Sequence, residues 1–240
     1  MNEKTITILH LYPNDMNIYG DRGNVLTLQK RLEWYGYSPI IIDYNQGDIF
    51  PDSVDIVVGG GGQDSGQNKI QADLLKIGPH LIELANNGTP MLMICGLYQL
   101  FGKFFKTADG KIIEGIGLFD AETYGKSERL IGNIITHSEQ FGNIIGYENH
   151  SGQTFLGHQV SALGVVRLGA GNNLEDISEG ARYQNVIGSY LHGSLLPKNP
   201  AIADFLIKQS AINKYGKFEG KKIDDTLCNL ARKEALKRPR

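Results

Sequence analysis

The amino-acid sequence predicts an α/β fold, with a mostly parallel central sheet, helices on both faces and a β-rich extension. Three observations carry that expectation. Short apolar runs alternate with helical patterns over the first hundred residues, at the spacing of strand–crossover–strand units. After about Thr107 the texture changes to short β-like runs between Gly- and Asn-rich turns. The chain has 240 residues, 41% hydrophobic and 21% charged, enough for a substantial core and unlike a disordered segment. With no repeats and no low-complexity linker, one domain over residues 1–216 is expected, followed by a basic helical extension, 217–240, packed on it.

Each element has a local reason. Residues 5–11 read as a strand, and a polar loop follows over 12–20. Asp21 stands where a helix cap belongs, before a helical pattern through Leu26, Leu28, Leu32 and Trp34 that Gly36 closes. Strands are expected at 39–44 and 53–58, the latter running directly into Gly59-Gly60-Gly61-Gly62. A helix follows over 67–77, broken at Gly78-Pro79 and resumed to Asn87-Gly88. The apolar run 91–94 reads as a buried strand that stops at Cys95-Gly96, and a helix is expected over 97–105. β-like runs are predicted at 116–121, 130–137, 144–148 and 164–168, a last buried strand at 186–191, and a helix at 200–215 opened by Pro200. In the extension, Ile223, Leu227, Leu230 and Ala231 recur at helical spacing, as on a solvated helix packed on the body.

Composition narrows the function. A net charge of −2 exerts no pull towards nucleic acid or an anionic membrane. Cys95 and Cys228 are too few and too far apart for a disulfide framework or a metal cluster, so no metal is expected. The first residues precede only a short apolar run broken by threonines, and no run reaches the roughly 20 residues of a membrane span. A soluble protein of a reducing compartment is expected.

The chemistry centres on Cys95. A cysteine at a strand-to-helix turn meets free backbone N–H groups and the positive end of a helix dipole, which favour a thiolate. This is the geometry of a nucleophile elbow; the alternative is an inert core cysteine. A thiol of ordinary pKa, about 8.5, is mostly protonated at neutral pH and needs a base. Of six histidines, His192 ends a buried strand on the sheet edge where open parallel sheets bind ligands. His10 is a second possibility at the end of the first strand, and His80 and His158 read as surface residues. Gly59 to Gly62 fit no phosphate-loop spacing, and Gly125-Lys126-Ser127 lacks the leading glycine of one. The glycine run is therefore either a flexible turn or a source of N–H donors for an oxyanion hole.

The motifs Cys95-Gly96-Leu97-Tyr98-Gln99, Gly60-Gly61-Gly62, Gly146-Tyr147-Glu148-Asn149-His150 and Gly188-Ser189-Tyr190-Leu191-His192-Gly193 resemble those of the class I (triad-type) glutamine amidotransferases, in their cobyric acid synthase-like branch. Residues 17–24, 129–132 and 196–199 sharpen the resemblance towards the glutaminase subunit of lipid II isoglutaminyl synthase. The resemblance implies a flavodoxin-like fold and a glutaminase in which Cys95 attacks the side-chain amide of L-glutamine and His192 gives the leaving ammonia its proton. It implies an oxyanion hole from Gly96 with Gly60 or Gly61, and substrate contacts from Arg129 and Gln99. A guanidinium can grip the substrate carboxylate bidentately; a surface ion pair is the alternative for Arg129.

Two positions depart from the family pattern. Ser194 stands where many triad enzymes have a Glu two residues after the histidine, which makes Asp21 the candidate orienting acid, with helix capping as its alternative. Leu97 replaces the second glycine of Cys-Gly-Gly-Tyr-Gln and is expected to crowd the elbow. No ATP motif is visible, so the resemblance implies no cofactor in this chain, with ATP and Mg on a Mur ligase-like synthetase partner that handles lipid II. It also implies a cytoplasmic location near the inner face of the cell membrane.

Overall fold

A computed structural model describes residues 4–192 and 194–239. The first half of the chain comprises β1 (Thr5–Leu11), α1 (Arg22–Tyr35), β2 (Ser38–Tyr44), β3 (Ile56–Gly59), α2 (Asp64–Asn86), β4 (Met91–Ile94) and α3 (Gly96–Phe101). Seven strands follow: β5 (Phe104–Lys106), β6 (Ile112–Glu114), β7 (Ala121–Ser138), β8 (Gly142–Leu156), β9 (Gly164–Leu168), β10 (Ser178–Glu179) and β11 (Ala181–Tyr183). The chain closes with β12 (Val186–Ser189), α4 (Leu195–Lys198), α5 (Pro200–Tyr215) and α6 (Thr226–Ala235).

The central sheet has the order β11-β12-β4-β3-β1-β2, parallel except for β11 at one edge. Buried from both faces, its inner strands need unbroken apolar runs. Ile56–Gly59, Met91–Ile94 and Val186–Ser189 are accordingly buried at every position. Because β1, β3, β4 and β12 run the same way, the segments that leave their C-terminal ends emerge on one edge. Those segments carry Asp21, the glycine run, Cys95 and His192.

Several elements differ from the sequence reading. The helix expected to break at Gly78-Pro79 is continuous, with Pro79 inside α2. An interior proline costs roughly 3 kcal/mol. Against this, Ile70, Leu74, Ile77 and Leu81 are at most 4% exposed, at roughly 1.5–3 kcal/mol for each buried side chain. Packing therefore outweighs the break. The helix after Cys95 stops at Phe101, because Phe105 belongs to β5. Residues 116–121 are mostly loop, and the strand there is Ile112–Glu114. The runs at 130–137 and 144–148 are parts of one long hairpin, β7–β8, whose polar middle hides its continuity. With β5, β6, β9 and β10 it forms a second sheet of its own, not an extension of the first.

The C-terminal segment returns to α1 and α4. Arg31, 4% exposed on α1, donates to Asp204 and Asp225 at 2.7–3.0 Å. Phe218 packs edge-on against Tyr35, and Ile223 packs on the core. Leu227 and Leu230 are exposed, so the apolar stripe read from the sequence is not turned wholly inward. Among the described residues, no helix is long and apolar enough to cross a membrane.

Candidate active site

Cys95 sits in the turn between β4 and α3 with φ +48° and ψ −101°, a conformation non-glycine residues rarely adopt. Such strain costs on the order of 1–3 kcal/mol and persists where the surroundings over-determine it. Here Cys95 N–H donates to Ser189 O at 2.9 Å, Leu97 N–H donates to Gly60 O at 3.3 Å, and β3 and β12 flank β4 on both sides. The strain turns the thiol towards a polar cavity of about 300 Å³ whose wall includes Tyr19, Gly62, Gln99, Arg129 and His150.

The glycine run is required by close approach. A Cβ at Gly60 would collide with the Met16 carbonyl oxygen, and one at Gly61 would lie 2.8 Å from His192 Cε1 and 3.2 Å from Cys95 Cβ. Gly61 directs its N–H into Asp21 Oδ2 at 2.7 Å, so that donor does not face the cavity as an oxyanion group would. Gly62, which the sequence reading did not single out, is the member of the run on the cavity wall. Its nitrogen lies 3.0 Å from where a Gly96 Cβ would be, so loop and elbow are in direct contact. First-turn N–H groups such as that of Gly96 have no intrahelical acceptor.

His192 follows β12 and is 2% exposed, with its N–H donated to Tyr147 O at 2.7 Å. Its Nδ1 is 3.7 Å from Asp21 Oδ1, within ion-pair range but longer than a hydrogen bond. Burial opposes charge on the ring. The neighbouring Cys95 sulfur and the Asp21 carboxylate outweigh it and push the imidazole up to about 10. Neither ring nitrogen has a hydrogen-bond partner among the described residues, as in resting sites whose hydrogen bonds tighten only around substrate. Tyr19 lies against the ring at 4.4 Å between centroids, the two planes tilted by 56°.

Asp21, 1% exposed, occupies the N-cap position of α1 but makes no side-chain cap hydrogen bond. Its carboxylate turns instead to Gly61 and His192. Ser194 donates its hydroxyl to Gly20 O at 2.9 Å. Gly193 lies outside the described residues. His10, the other histidine weighed, is buried beside Asp43 on β2 at 3.1 Å and does not line the cavity. His80 and His158 are exposed, as the sequence implied.

Arg129 closes a bulge in β7, where the residues between Gly125 and Leu130 oppose only Ser151 on β8. The bulge carries its guanidinium to the cavity wall, where it donates to Asn149 Oδ1 at 2.6 Å and to Tyr19 Oη at 3.0 Å. Among the described residues it has no carboxylate partner, which removes the surface ion-pair alternative. Gln99 is buried and fixed at both ends. It accepts from Gln67 Nε2 at 2.7 Å and donates to Tyr190 Oη at 3.1 Å.

His150, the last residue of the Gly146–His150 motif, stacks flat on Tyr190 at 3.6 Å. Burial pushes it down to about 3, so it is neutral at pH 7. Leu97 does not crowd the cavity: it is fully buried, pointing at Gly59 on β3, where the missing side chain makes room for it.

This arrangement places a thiol on a strained turn, a buried imidazole and a buried carboxylate at one sheet edge. The profile of the CobB/CobQ-like glutamine amidotransferase domain matches residues 7–200. The chain belongs to this family. The amidotransferase is 41% identical to the lipid II isoglutaminyl synthase (glutamine-hydrolyzing) subunit GatD of Staphylococcus aureus, over 92% of this chain and 90% of that one. It is 40% identical to the corresponding subunit of Streptococcus pneumoniae, over 88% and 82%. A cobyric acid synthase of Thermodesulfovibrio yellowstonii is 30% identical, but only 38% of its length is matched. In fold, the amidotransferase is similar to a PurLQS structure from Thermotoga maritima, with TM-score 0.60 at 15% identity, covering 85% of this chain and 98% of that one. A glutamine amidotransferase of the same organism gives TM-score 0.56 at 15% identity, covering 96% and 90%.

Proposed function

We propose that this amidotransferase is the glutaminase subunit of a lipid II isoglutaminyl synthase. The observation that carries the reading is the near end-to-end match to two subunits of that name, set against a match to a minor part of a cobyric acid synthase. In this reading, the Cys95 thiolate adds to the carboxamide carbon of L-glutamine. The C–N bond then breaks as His192 gives its proton to the leaving ammonia. Water, deprotonated by the now neutral His192, adds to the glutamyl thioester, the C–S bond breaks, and glutamate leaves with the thiolate restored. Asp21 keeps the imidazole oriented and favours its charged form. Gly96 and, from the glycine loop, Gly62 on the cavity wall supply the oxyanion donors, since the Gly61 N–H is taken by Asp21. Arg129 and Gln99 hold the substrate.

The ammonia passes to a Mur ligase-like synthetase subunit, which carries ATP and Mg and amidates the D-glutamate α-carboxylate of lipid II to D-isoglutamine. The pair works in the cytoplasm at the inner face of the membrane. The test is amidation of lipid II by the full chain with a co-expressed Mur ligase-like protein. Glutamine is expected to support the reaction. Cys95→Ala should abolish glutamine-driven amidation but leave amidation from ammonium salts intact. Failure of both nitrogen sources with the wild-type pair would refute the assignment.

A further inference from the structure

Beyond β12, three successive N–H groups leave the sheet, and each, buried from bulk solvent, needs an acceptor. Tyr190 N–H donates to Glu179 Oε1 at 2.9 Å, Leu191 N–H to Ser189 Oγ at 3.0 Å, and His192 N–H to Tyr147 O at 2.7 Å. The Ser189 hydroxyl in turn donates to the same Glu179 oxygen at 2.9 Å. A single buried carboxylate oxygen on β10 therefore secures Tyr190 directly and Leu191 through Ser189. Both precede His192, and the Ser189 carbonyl also accepts the Cys95 N–H. The turn fixes more than the histidine. The Tyr190 hydroxyl holds Gln99 and Thr154, and its ring stacks on His150.

Glu179 is a costly choice for a purely structural strut. It is fully buried, no cation pairs with it among the described residues, and its Oε2 has no hydrogen-bond partner there. Burial, opposed by the Tyr190 N–H and Ser189 hydroxyl and aided by the nearby Glu148 charge, pushes its carboxyl up to about 7. A buried carboxylate without a counter-ion is expensive and tends to mark function.

We propose that Glu179 is a positioning residue of the glutaminase reaction: its carboxylate holds the Ser189–Leu191 turn and so sets His192 against Cys95 and Tyr190 against Gln99. This rests on the reading of Cys95 and His192 as nucleophile and base. Glu179 touches no substrate and acts through the turn. Its loss orphans the Tyr190 N–H and the Ser189 hydroxyl together. The turn must then rotate to find other acceptors, taking His192 with it.

The experiment is steady-state glutamine hydrolysis by the full chain with its synthetase partner, comparing Glu179→Ala, Glu179→Gln, Ser189→Ala and His192→Ala, with a melting curve for each. Glu179→Gln keeps an acceptor oxygen and is expected within about threefold of wild-type kcat. Glu179→Ala is expected to lose about 10²-fold in kcat, and Ser189→Ala about tenfold. A folded Glu179→Ala with kcat within twofold of wild type would overturn the proposal, whatever its melting temperature. If Glu179→Ala does not fold, wild-type kcat in Ser189→Ala overturns it, and equal large losses in Glu179→Gln and Glu179→Ala do the same. Full activity in His192→Ala would instead refute the underlying reading of the base.

Discussion

Replacing Gly61 with alanine probes the catalytic geometry with a single methyl group. The added Cβ would lie 2.8 Å from His192 Cε1, 3.2 Å from Cys95 Cβ and 3.4 Å from Asp21 Oδ2, where ordinary contact begins at 3.4 Å. Relief demands that the ring retreat by about 0.6 Å, the difference of 3.4 and 2.8 Å. Tyr19 tilted against the ring, together with the His192 N–H fixed on Tyr147, leaves it little room to do so. Displacements near 1 Å cost about 10²-fold in well-oriented reactions, so a loss of roughly 10- to 100-fold in kcat is expected, about 1.4–2.7 kcal/mol of barrier. Gly61 is outside the left-handed region, so no backbone strain confuses the result. Glutamine hydrolysis with a parallel melting curve is the assay. A Gly61→Ala protein with kcat within threefold of wild type would show that the separation of Cys95 and His192 is not what limits the chemistry.

Four further outcomes follow from the same geometry. Asp21→Asn removes the charge beside His192 but keeps an oxygen for the Gly61 N–H, so kcat should fall by about 10²-fold or more while the fold persists; activity within threefold of wild type would assign Asp21 a structural role only. Gly59→Ala should destabilise the protein because its methyl meets Leu97, and Leu97→Ala, itself costing about 2–5 kcal/mol, should recover part of that loss in the double variant; additive losses in chemical denaturation would contradict this packing. Arg129→Lys should raise KM for glutamine about tenfold with little change in kcat, since a point charge replaces a planar fork; an unchanged KM would remove Arg129 from the substrate site. For His150, the unfolded chain takes up a proton below pH 6.5 while the native ring, held near 3, does not. The unfolded state then binds more protons, so this residue makes stability fall as pH drops from about 6.5 to 3. His150→Gln should flatten that part of the pH–stability curve, and an unaltered slope would refute the burial argument.

The sequence made the order of strands and helices visible through runs such as 91–94, and it made the elbow visible because an apolar strand ends abruptly at Cys95-Gly96. Pro79 and Gly78 misled because local propensity was read without the apolar stripe that holds α2 to the sheet. The β7–β8 hairpin was fragmented for a similar reason. Its exposed polar bulge at 126–129 carries no alternation, although that bulge is what delivers Arg129 to the cavity. Asp21 had two readings at the sequence level, because cap and triad acid share the same residue types. The structure shows the side chain making no cap hydrogen bond and facing Gly61 and His192 instead. Leu97 looked like an obstruction because its compensating glycine, Gly59, lies on the neighbouring strand 38 positions earlier. Glu179 could not be found by spacing at all, and Tyr190 only as one member of the Gly188–Gly193 motif, since their importance lies in which buried polar groups they satisfy.

The central claim is that Cys95 is the nucleophile that receives the glutamyl group. The most direct measurement is mass-spectrometric peptide mapping of the full chain after reaction with a glutamine-analogue electrophile, with and without competing L-glutamine. Covalent label on the peptide containing Cys95, suppressed by glutamine and absent in His192→Ala at short times, is the predicted result. Label confined to Cys228, or no label on Cys95 in protein that hydrolyses glutamine, would contradict it.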